Sequence, residues 1–453
     1  MAINGAKAKG SDFIDEAIKR GAVCVVAGHP VRQAGLARPT FRGVPLIPFA
    51  DTRYALAILA DEFFGHPSGK LKVVGVTGTN GKTTITYLIR SILSQAGFSS
   101  GIIGTINYCF KDKIMPAPNT TPGPLDLQLL LKTMVDAGCG YCVMEVSSHG
   151  LQQNRTEGIE FAAAIFTNLT PEHLDYHLNL DNYFLAKSRL FSGLSKEAYA
   201  IINLDSPFAL RLLGLSRGKF VGYAVGSQAD VRATNLVLGL WGSEFILKTG
   251  ALKTKIKTRL IGKHNVSNIL AAIAFALTQG IELADIKKAL GCFEGVKGRL
   301  QKVRAGNRNI FIDYAHTPDA LENVLGILRQ FSKNNLLVVF GCGGERDSLK
   351  RPLMGKVAEK YADVIILTSD NPRGEDPEEI ARDIASGIKS KDYKIILERR
   401  EAIRYALSKS KEQDTVIIAG KGHENYQIFK TRRIEFDDNV VTQDYIREKG
   451  WEE

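Results

Sequence analysis

Short β-branched runs alternate along most of the chain with Gly-rich loops and with stretches whose apolar residues recur every three to four positions. The first pattern predicts strands and the last predicts amphipathic helices. Residues 72–76 read as a strand and 83–95 as the helix after it. Residues 141–146 and 162–167 read as buried strands, and 182–191 and 265–277 have helical spacing. After Leu300 the rhythm restarts, with strands expected at 309–313, 336–340, 364–367 and 415–419. Such alternation argues for an α/β protein with mostly parallel sheets covered by helices on both faces. Between Phe220 and Leu260 the pattern looks instead like antiparallel hairpins.

The pattern breaks at 66–69 (HPSG) and again at 291–298, where Gly291, Gly295 and Gly298 suggest a hinge. The expected units are therefore 1–70, 71–299 and 300–453. Three units agree with 453 residues at roughly 100–200 per domain. The longest apolar run, 269–277, falls short of the ~18 residues that suggest a membrane span. The first ten residues lack the apolar core of a signal peptide, so a cytoplasmic protein is expected. Six scattered cysteines fit reduced thiols; Cys139 and Cys142 form a lone C-x-x-C that reads as packing. Lys plus Arg numbers 59 against 48 acids, a net charge of +11 that points to anionic partners without choosing among them.

The sharpest local signal is GVTGTNGKTT at 75–84, between a strand and a helix. Gly78, Gly81, Lys82 and Thr83 fit a phosphate loop, although counting from Gly75 the motif is one residue longer than G-x-x-x-x-G-K-T. Glycines let backbone N–H groups approach phosphate oxygens, and the helix N-terminus favours the anion. Lys82 would neutralise the phosphates, and Thr83 or Thr84 could hold Mg²⁺. Glu145 closes a buried strand, where open α/β sheets place their ligands; a strand-end salt bridge is the bland alternative. TNLTPEHLDYH, at 167–177, puts His173, Asp175 and His177 at another strand end. His173 suits function, whereas Asp175 and His177 could equally cap or brace the loop. Lys187 reads by spacing as a solvated lysine, because an ammonium donates and cannot ligate a cation.

Taken together, GVTGTNGKTT, PNTTPGPLDLQ, MEVSSHGLQQNR, TNLTPEHLDYH, the helix ending AKSRLF, GKHNVSN, GVKGRLQ, DYAHTPDALENVL, GCGGERDSLKRPLM, DNPRGED and GKGHENYQ resemble the Mur ligase family. These are the ATP-dependent amide-forming enzymes of peptidoglycan synthesis. The resemblance implies a three-domain architecture. A UDP-substrate-binding domain at 1–70 precedes a central P-loop ATPase domain at 71–299 and a Rossmann-like amino-acid-binding domain at 300–453. It implies a carbamate on Lys187, derived from CO₂, which turns a cation into an oxygen ligand for Mg²⁺ beside Thr83, Glu145 and His173. Gly78, Thr79, Asn80, Gly81, Lys82, Thr83 and Thr84 would hold the phosphates of ATP together with Arg299, while Asn268 and Asp313 would hold adenine and ribose. Asn119, Thr120, Thr121, Ser147, Gln153 and Arg155 match positions that bind UDP-MurNAc-L-Ala-D-Glu. DNPR at 370–373 matches the branch that adds meso-diaminopimelate, with Arg373 as selector and Arg351, Asp370, Asn371, Gly420 and Glu424 around it. A guanidinium can grip the second carboxylate that lysine lacks.

One departure is that Met1 aligns inside the first domain of the family, some forty residues after its usual start, so part of the uridine site is expected to be missing. The implied enzyme is a cytoplasmic monomer. Its rivals are a related ligase with another acceptor, such as lysine, and a non-catalytic scaffold of the same fold.

Overall fold

The computed structural model describes residues 1–5, 8–28 and 40–451, except the side chain of Asp175. Among the described residues three sheets organise the chain, and a two-stranded hairpin, Tyr426–Phe429 with Arg432–Glu435, is added near the end. The first is small and ordered Val25–Ala27, Val44–Pro48, Thr40–Phe41. Ala2, Ile14, Val25, Ala27 and Leu46 form its core. The helix Thr52–Phe63 follows, capped by Asp51, whose carboxylate accepts from the N–H groups of Arg53 and Tyr54.

The second sheet has eleven strands. Seven consecutive ones are parallel: Val231–Gly239, Lys219–Ala224, Tyr199–Asn203, Phe161–Phe166, Lys72–Thr77, Tyr141–Glu145 and Ser100–Ile103. Antiparallel hairpins extend both edges, Gly242–Thr249 with Leu252–Thr258 on one side and Asn107–Phe110 with Lys113–Pro116 on the other. The interior strands are buried along their length, as a sheet covered on both faces requires. Helices Lys82–Gln95 and Lys263–Thr278 pack on one face with Val74, Val76, Val143 and Ile165. The helix Leu180–Ser192 lies on the other, with Phe166, Ala200 and Ile202.

The third sheet runs Gln301–Val303, Asn309–Asp313, Thr415–Ala419, Leu336–Phe340, Val364–Leu367, Tyr393–Ile395, and all but the first strand are parallel. Helix Pro318–Phe331 covers one face; Arg399–Lys409 and Asp438–Lys449 cover the other. Beneath the strand ends, Arg399 and Asp438 form a fully buried two-bond pair at 2.7 and 2.7 Å. The same guanidinium donates to Ala419 O at 3.0 Å and Ser369 O at 3.5 Å, tying two strand ends together.

The expected strands in both large sheets are present. One expectation needs correction. Lys219–Ala224 is not part of an antiparallel hairpin, since it pairs parallel on both sides. The chain reaches it from Tyr199–Asn203 through the helix Ala209–Leu213, and such a crossover returns the chain in the same direction. Antiparallel pairing begins only at the Val231–Gly239 strand. Cys139 and Cys142 are buried, and burial pushes the Cys142 thiol well up, as packing residues require. Among the described residues no helix is long and apolar enough to cross a membrane.

Candidate active site

Three adjacent strands, Tyr141–Glu145, Lys72–Thr77 and Phe161–Phe166, end at one edge of the second sheet. The chain steps to opposite sides of Lys72–Thr77, so this edge is a topological switch point. The loop Gly78–Gly81 leaves the middle strand and turns into the helix Lys82–Gln95. Gly81 has φ +92°, and a Cβ there would collide with Asn268 Oδ1. Glycine is therefore required, and Asn268 is brought against the loop. Gly75 lies inside the strand and faces the Phe161 ring, which accounts for the extra residue in the motif count.

The loop is clamped from the neighbouring strand end. Asn168 accepts from Asn80 N at 2.9 Å through Oδ1 and from Thr79 N at 2.9 Å through its backbone O. Thr167 Oγ1 donates to Asn80 O at 2.6 Å. These two residues were not singled out from sequence. The signal was present in TNLT, but only the fold shows what it holds.

Lys82 Nζ donates to Gly78 O at 2.9 Å and Thr79 O at 2.7 Å, curled over its own loop. Burial lowers its pKa. Lys187, expected by spacing to be solvated, is 2% exposed and donates to the same Gly78 O at 2.9 Å. Burial, and then the Lys82 charge, hold its pKa well below that of an ordinary lysine. Glu172 lies between these groups. Burial pushes its carboxyl up, but His173, Lys82, His316 and Lys187 together bring it below the usual range. It too was unmarked in the sequence.

Glu145 is 1% exposed. Its Oε2 accepts from Thr83 Oγ1 and Thr105 Oγ1, each at 3.0 Å, and its Oε1 from Thr105 N at 2.8 Å. No ammonium or guanidinium is shown pairing with this buried carboxylate among the described residues. Such a donor set suits a hard cation. His173 has φ +56° and stands 3.8 Å from Glu172 Oε1. Among the described residues no three His, Cys, Asp or Glu side chains converge as a ready-made metal site. Glu145 and His173 line the cleft, whereas Lys187 is buried behind the phosphate loop, and the three do not form a closed ligand set.

Arg299, Asp313, Asn268 and the loop line one cavity of about 550 Å³ between the second and third sheets. Arg299 crosses to Thr83 Oγ1 at 3.3 Å and stacks on Tyr314 with 4.8 Å to the ring centre. Asp313 accepts from Leu300 N at 2.5 Å and Ala315 N at 2.7 Å, and burial raises its pKa. Asp319, also unmarked, reaches the loop from the third sheet's side, accepting from Asn80 Nδ2 at 2.9 Å and Thr170 Oγ1 at 3.2 Å.

A second group continues from Glu145. Thr120 Oγ1 lies 3.1 Å from Thr105 Oγ1, and Thr121 Oγ1 donates to Glu145 O at 2.9 Å. Ser147 N donates to Thr121 Oγ1 at 3.0 Å, and Arg155 joins Thr121 O at 2.6 Å to Gln153 Oε1 at 2.8 Å. Asn119 adjoins them, its backbone O accepting from Tyr108 OH at 2.5 Å. His177 braces this region through Ser148 Oγ at 2.9 Å; the Asp175 side chain lies outside the described atoms.

A third group sits at the strand ends of the third sheet. Asn371 Nδ2 donates to Glu424 Oε2 at 2.9 Å. Gly420 has φ +108°, and a Cβ there would stand 2.8 Å from Asp370 Oδ2. Arg373 Nη1 donates to Gly344 O at 2.8 Å. Arg351 is not part of this group's open face. It is 3% exposed and is held by Glu375 at 2.7 Å and Asp383 at 2.9 Å, because it belongs to the inner side of the helix Lys350–Tyr361. Arg346, exposed on the preceding loop, lies instead beside Arg373 across Gly343.

Sheets, phosphate loop and cleft define a nucleotide-phosphate-binding α/β protein, and the relatives place it among ATP-dependent ligases. The chain matches the Mur ligase middle domain over residues 76–276 and the Mur ligase, glutamate ligase domain over 298–422. It belongs to the Mur ligase family. A UDP-N-acetylmuramoyl-L-alanyl-D-glutamate--2,6-diaminopimelate ligase from Geobacillus kaustophilus is 44% identical over 457 residues, covering 99% of this chain and 92% of that protein. The enzyme of the same name from Aquifex aeolicus is 45% identical, covering 99% and 91%. A solved structure of a ligase of that name is 35% identical with a TM-score of 0.69, covering 97% of this chain and 89% of the other. The MurF ligase of Thermotoga maritima, solved with ADP, is 19% identical with a TM-score of 0.64, covering 99% and 92%, and shares the fold.

Proposed function

We propose that this chain adds meso-diaminopimelate to UDP-MurNAc-L-Ala-D-Glu at the expense of ATP, in the cytoplasmic synthesis of peptidoglycan precursors, and acts as a monomer. The observation that carries the reading is one cleft with two chemically distinct walls. The phosphate loop and Glu145 stand on one wall. Arg299, Asp313 and Asp319 stand on the other, and Asp370, Asn371, Arg373 and Glu424 lie beyond it at the strand ends of the same third sheet, outside the cavity lining. Relatives 41–45% identical over nearly the whole chain carry that enzyme name.

In this reading ATP transfers its γ-phosphoryl to the D-glutamate γ-carboxylate and leaves as ADP. The amine of diaminopimelate attacks the acyl phosphate carbon, and the tetrahedral intermediate expels phosphate and loses a proton. Lys82, freed from its loop carbonyls, and Arg299 offset charge on the transferring phosphoryl. Asn268 and Asp313 serve adenine and ribose. Asn119, Thr120, Thr121, Ser147, Gln153 and Arg155 hold the nucleotide-sugar dipeptide next to Glu145. Asp370, Asn371 and Glu424 orient the amino acid, and Arg373 grips its second carboxylate. Thr83 and Glu145, joined by His173 and by Lys187 as carbamate, fit Mg²⁺, which supplies electrostatic stabilisation of phosphate charge. Carbamylation would remove one of the two like charges that meet at Gly78 O. The units 1–70, 71–299 and 300–453 remain the proposed domains.

The test is phosphate release from ATP with UDP-MurNAc-L-Ala-D-Glu, comparing meso-diaminopimelate with L-lysine. Diaminopimelate should be turned over far faster than lysine; a preference for lysine would remove the role given to Arg373. Lys82→Ala should lower the rate by more than about 100-fold. Near-normal turnover in that variant would refute the phosphate-loop assignment.

A further inference from the structure

Lys421 has no part in the assignments above, yet its side chain is fully buried at the centre of the amino-acid group. It follows the strand Thr415–Ala419, and its ammonium donates to Glu424 Oε2 at 2.9 Å and Asn371 Oδ1 at 3.2 Å. Asp370 Oδ1 lies 3.9 Å away. Asn371 Oδ1 also accepts from Ile428 N at 3.1 Å, so its amide can point only one way, with Nδ2 on Glu424 Oε2. Lys421 therefore occupies one oxygen of Glu424 and leaves the other carboxylate oxygen and Asp370 Oδ2 for a ligand.

Charge makes the arrangement selective. Lys421 and Arg373 are two cations, and Asp370 and Glu424 are two anions, so the group is neutral as a whole. Beneath it Arg399 balances Asp438, and Arg351 is flanked by Glu375 and Asp383, whose one surplus negative charge is open to solvent. At the rim Arg433 stacks on Tyr426, and Glu345 and Arg346 face solvent. A neutral cradle with both signs separated in space matches the zwitterionic end of an α-amino acid. The side-chain end of lysine, an ammonium without a carboxylate, brings a net positive charge that a neutral cradle does not offset.

We propose that Lys421 is a specificity-determining positioning residue: the buried counter-ion that keeps the cradle neutral and orients Asn371 and Glu424, so that a zwitterionic end is preferred to a cationic one. Arg373 supplies the grip on the carboxylate. Lys421 supplies the charge balance that makes an unpaired ammonium a poor substitute. The proposal rests on the amino-acid-adding reading above and names a determinant that reading does not contain.

The experiment measures kcat and KM for meso-diaminopimelate and for L-lysine in Lys421→Met, Glu424→Gln and the double variant, with KM for ATP as control. Lys421→Met should lower kcat/KM for diaminopimelate mainly through KM and should shift the diaminopimelate-to-lysine ratio towards lysine by at least about tenfold, with KM for ATP held. The double variant restores a neutral cradle, so its ratio should return towards the wild-type value although both contacts are gone. A merely structural lysine would lower both substrates in parallel and leave the ratio in place, which would overturn the proposal. So would a double variant with a ratio no closer to wild type than Lys421→Met. Should Lys421→Met fail to fold, Asn371→Asp adds the same unit of negative charge while keeping the lysine. It must move the ratio in the same direction, and an unmoved ratio would overturn the proposal. Failure of the parent reading registers separately, as absence of diaminopimelate-dependent phosphate release from the unaltered protein.

Discussion

Lys187 illustrates at the scale of one residue how burial changes available chemistry. A solvated lysine is mostly ammonium; burial and the Lys82 charge shift Lys187 towards the neutral amine, the form that reacts with CO₂. Rates should therefore fall in CO₂-depleted buffer and recover on adding bicarbonate, and Lys187→Arg should stay inactive under both conditions. His423 gives a second residue-scale expectation. Burial, then the charges of Arg299 and Lys297, bring its pKa down to about 3. The folded protein thus resists a proton that the unfolded chain accepts near 6.5. Stability is full above that value and falls as pH drops towards 3. At pH 5 the loss should be about 1 kcal/mol, after allowing for partial exposure. Urea midpoints at pH 7 and pH 5 should converge in His423→Gln.

At the scale of elements, strand ends are what the chemistry uses, and something must hold them. Arg399 does so for the third sheet, joining the helix Asp438–Lys449 to the carbonyls of Ser369 and Ala419. Removing one partner of a buried ion pair leaves an uncompensated charge, at a cost of about 3–5 kcal/mol. Arg399→Met should lower the unfolding free energy by that order in urea titration. It should also raise KM for the amino acid more than KM for ATP, because Asp370 and Gly420 follow the strands it ties. The correction at Lys219–Ala224 belongs to this scale too. Period-two alternation there gave the strand but not its partner, since partner choice depends on whether the linking segment turns back or crosses over.

At the scale of the whole molecule, the ATP cavity exists only because two sheets face each other. Asp319 bonds to Asn80 and Thr170 across it, Arg299 reaches Thr83, and Lys297 pairs with Asp437 at 2.8 Å. Leu240 and Ile261, which come before the third sheet in the chain, pack into its core. Asp319→Ala should loosen this facing arrangement. Its radius of gyration in solution scattering should rise in the absence of nucleotide and return towards the unaltered value with an ATP analogue. An unchanged radius would mean that the apolar contacts alone hold the sheets together. The +11 charge has a partial placement here. Lys253, Lys255 and Lys257 lie on Leu252–Thr258, the outermost strand of the eleven, where charge discourages pairing with another chain.

What the sequence determined by itself was local: the strands of the two large sheets, the phosphate loop, and motifs dense enough to identify the family. These are legible because backbone geometry and hydrophobic period act over a few residues. Only the tertiary structure decided which side chains share an environment. Arg351 and Arg373 look alike in sequence, yet one is saturated by Glu375 and Asp383 while the other donates to the carbonyls of Gly344 and Asn371. Spacing alone gives Lys187, Lys421 and Asp319 no distinct chemistry, although each lies in a stretch that resembles the family. Burial and partners from residues 50 to 239 positions away give them their chemistry, and no local pattern encodes the electrostatics of such contacts.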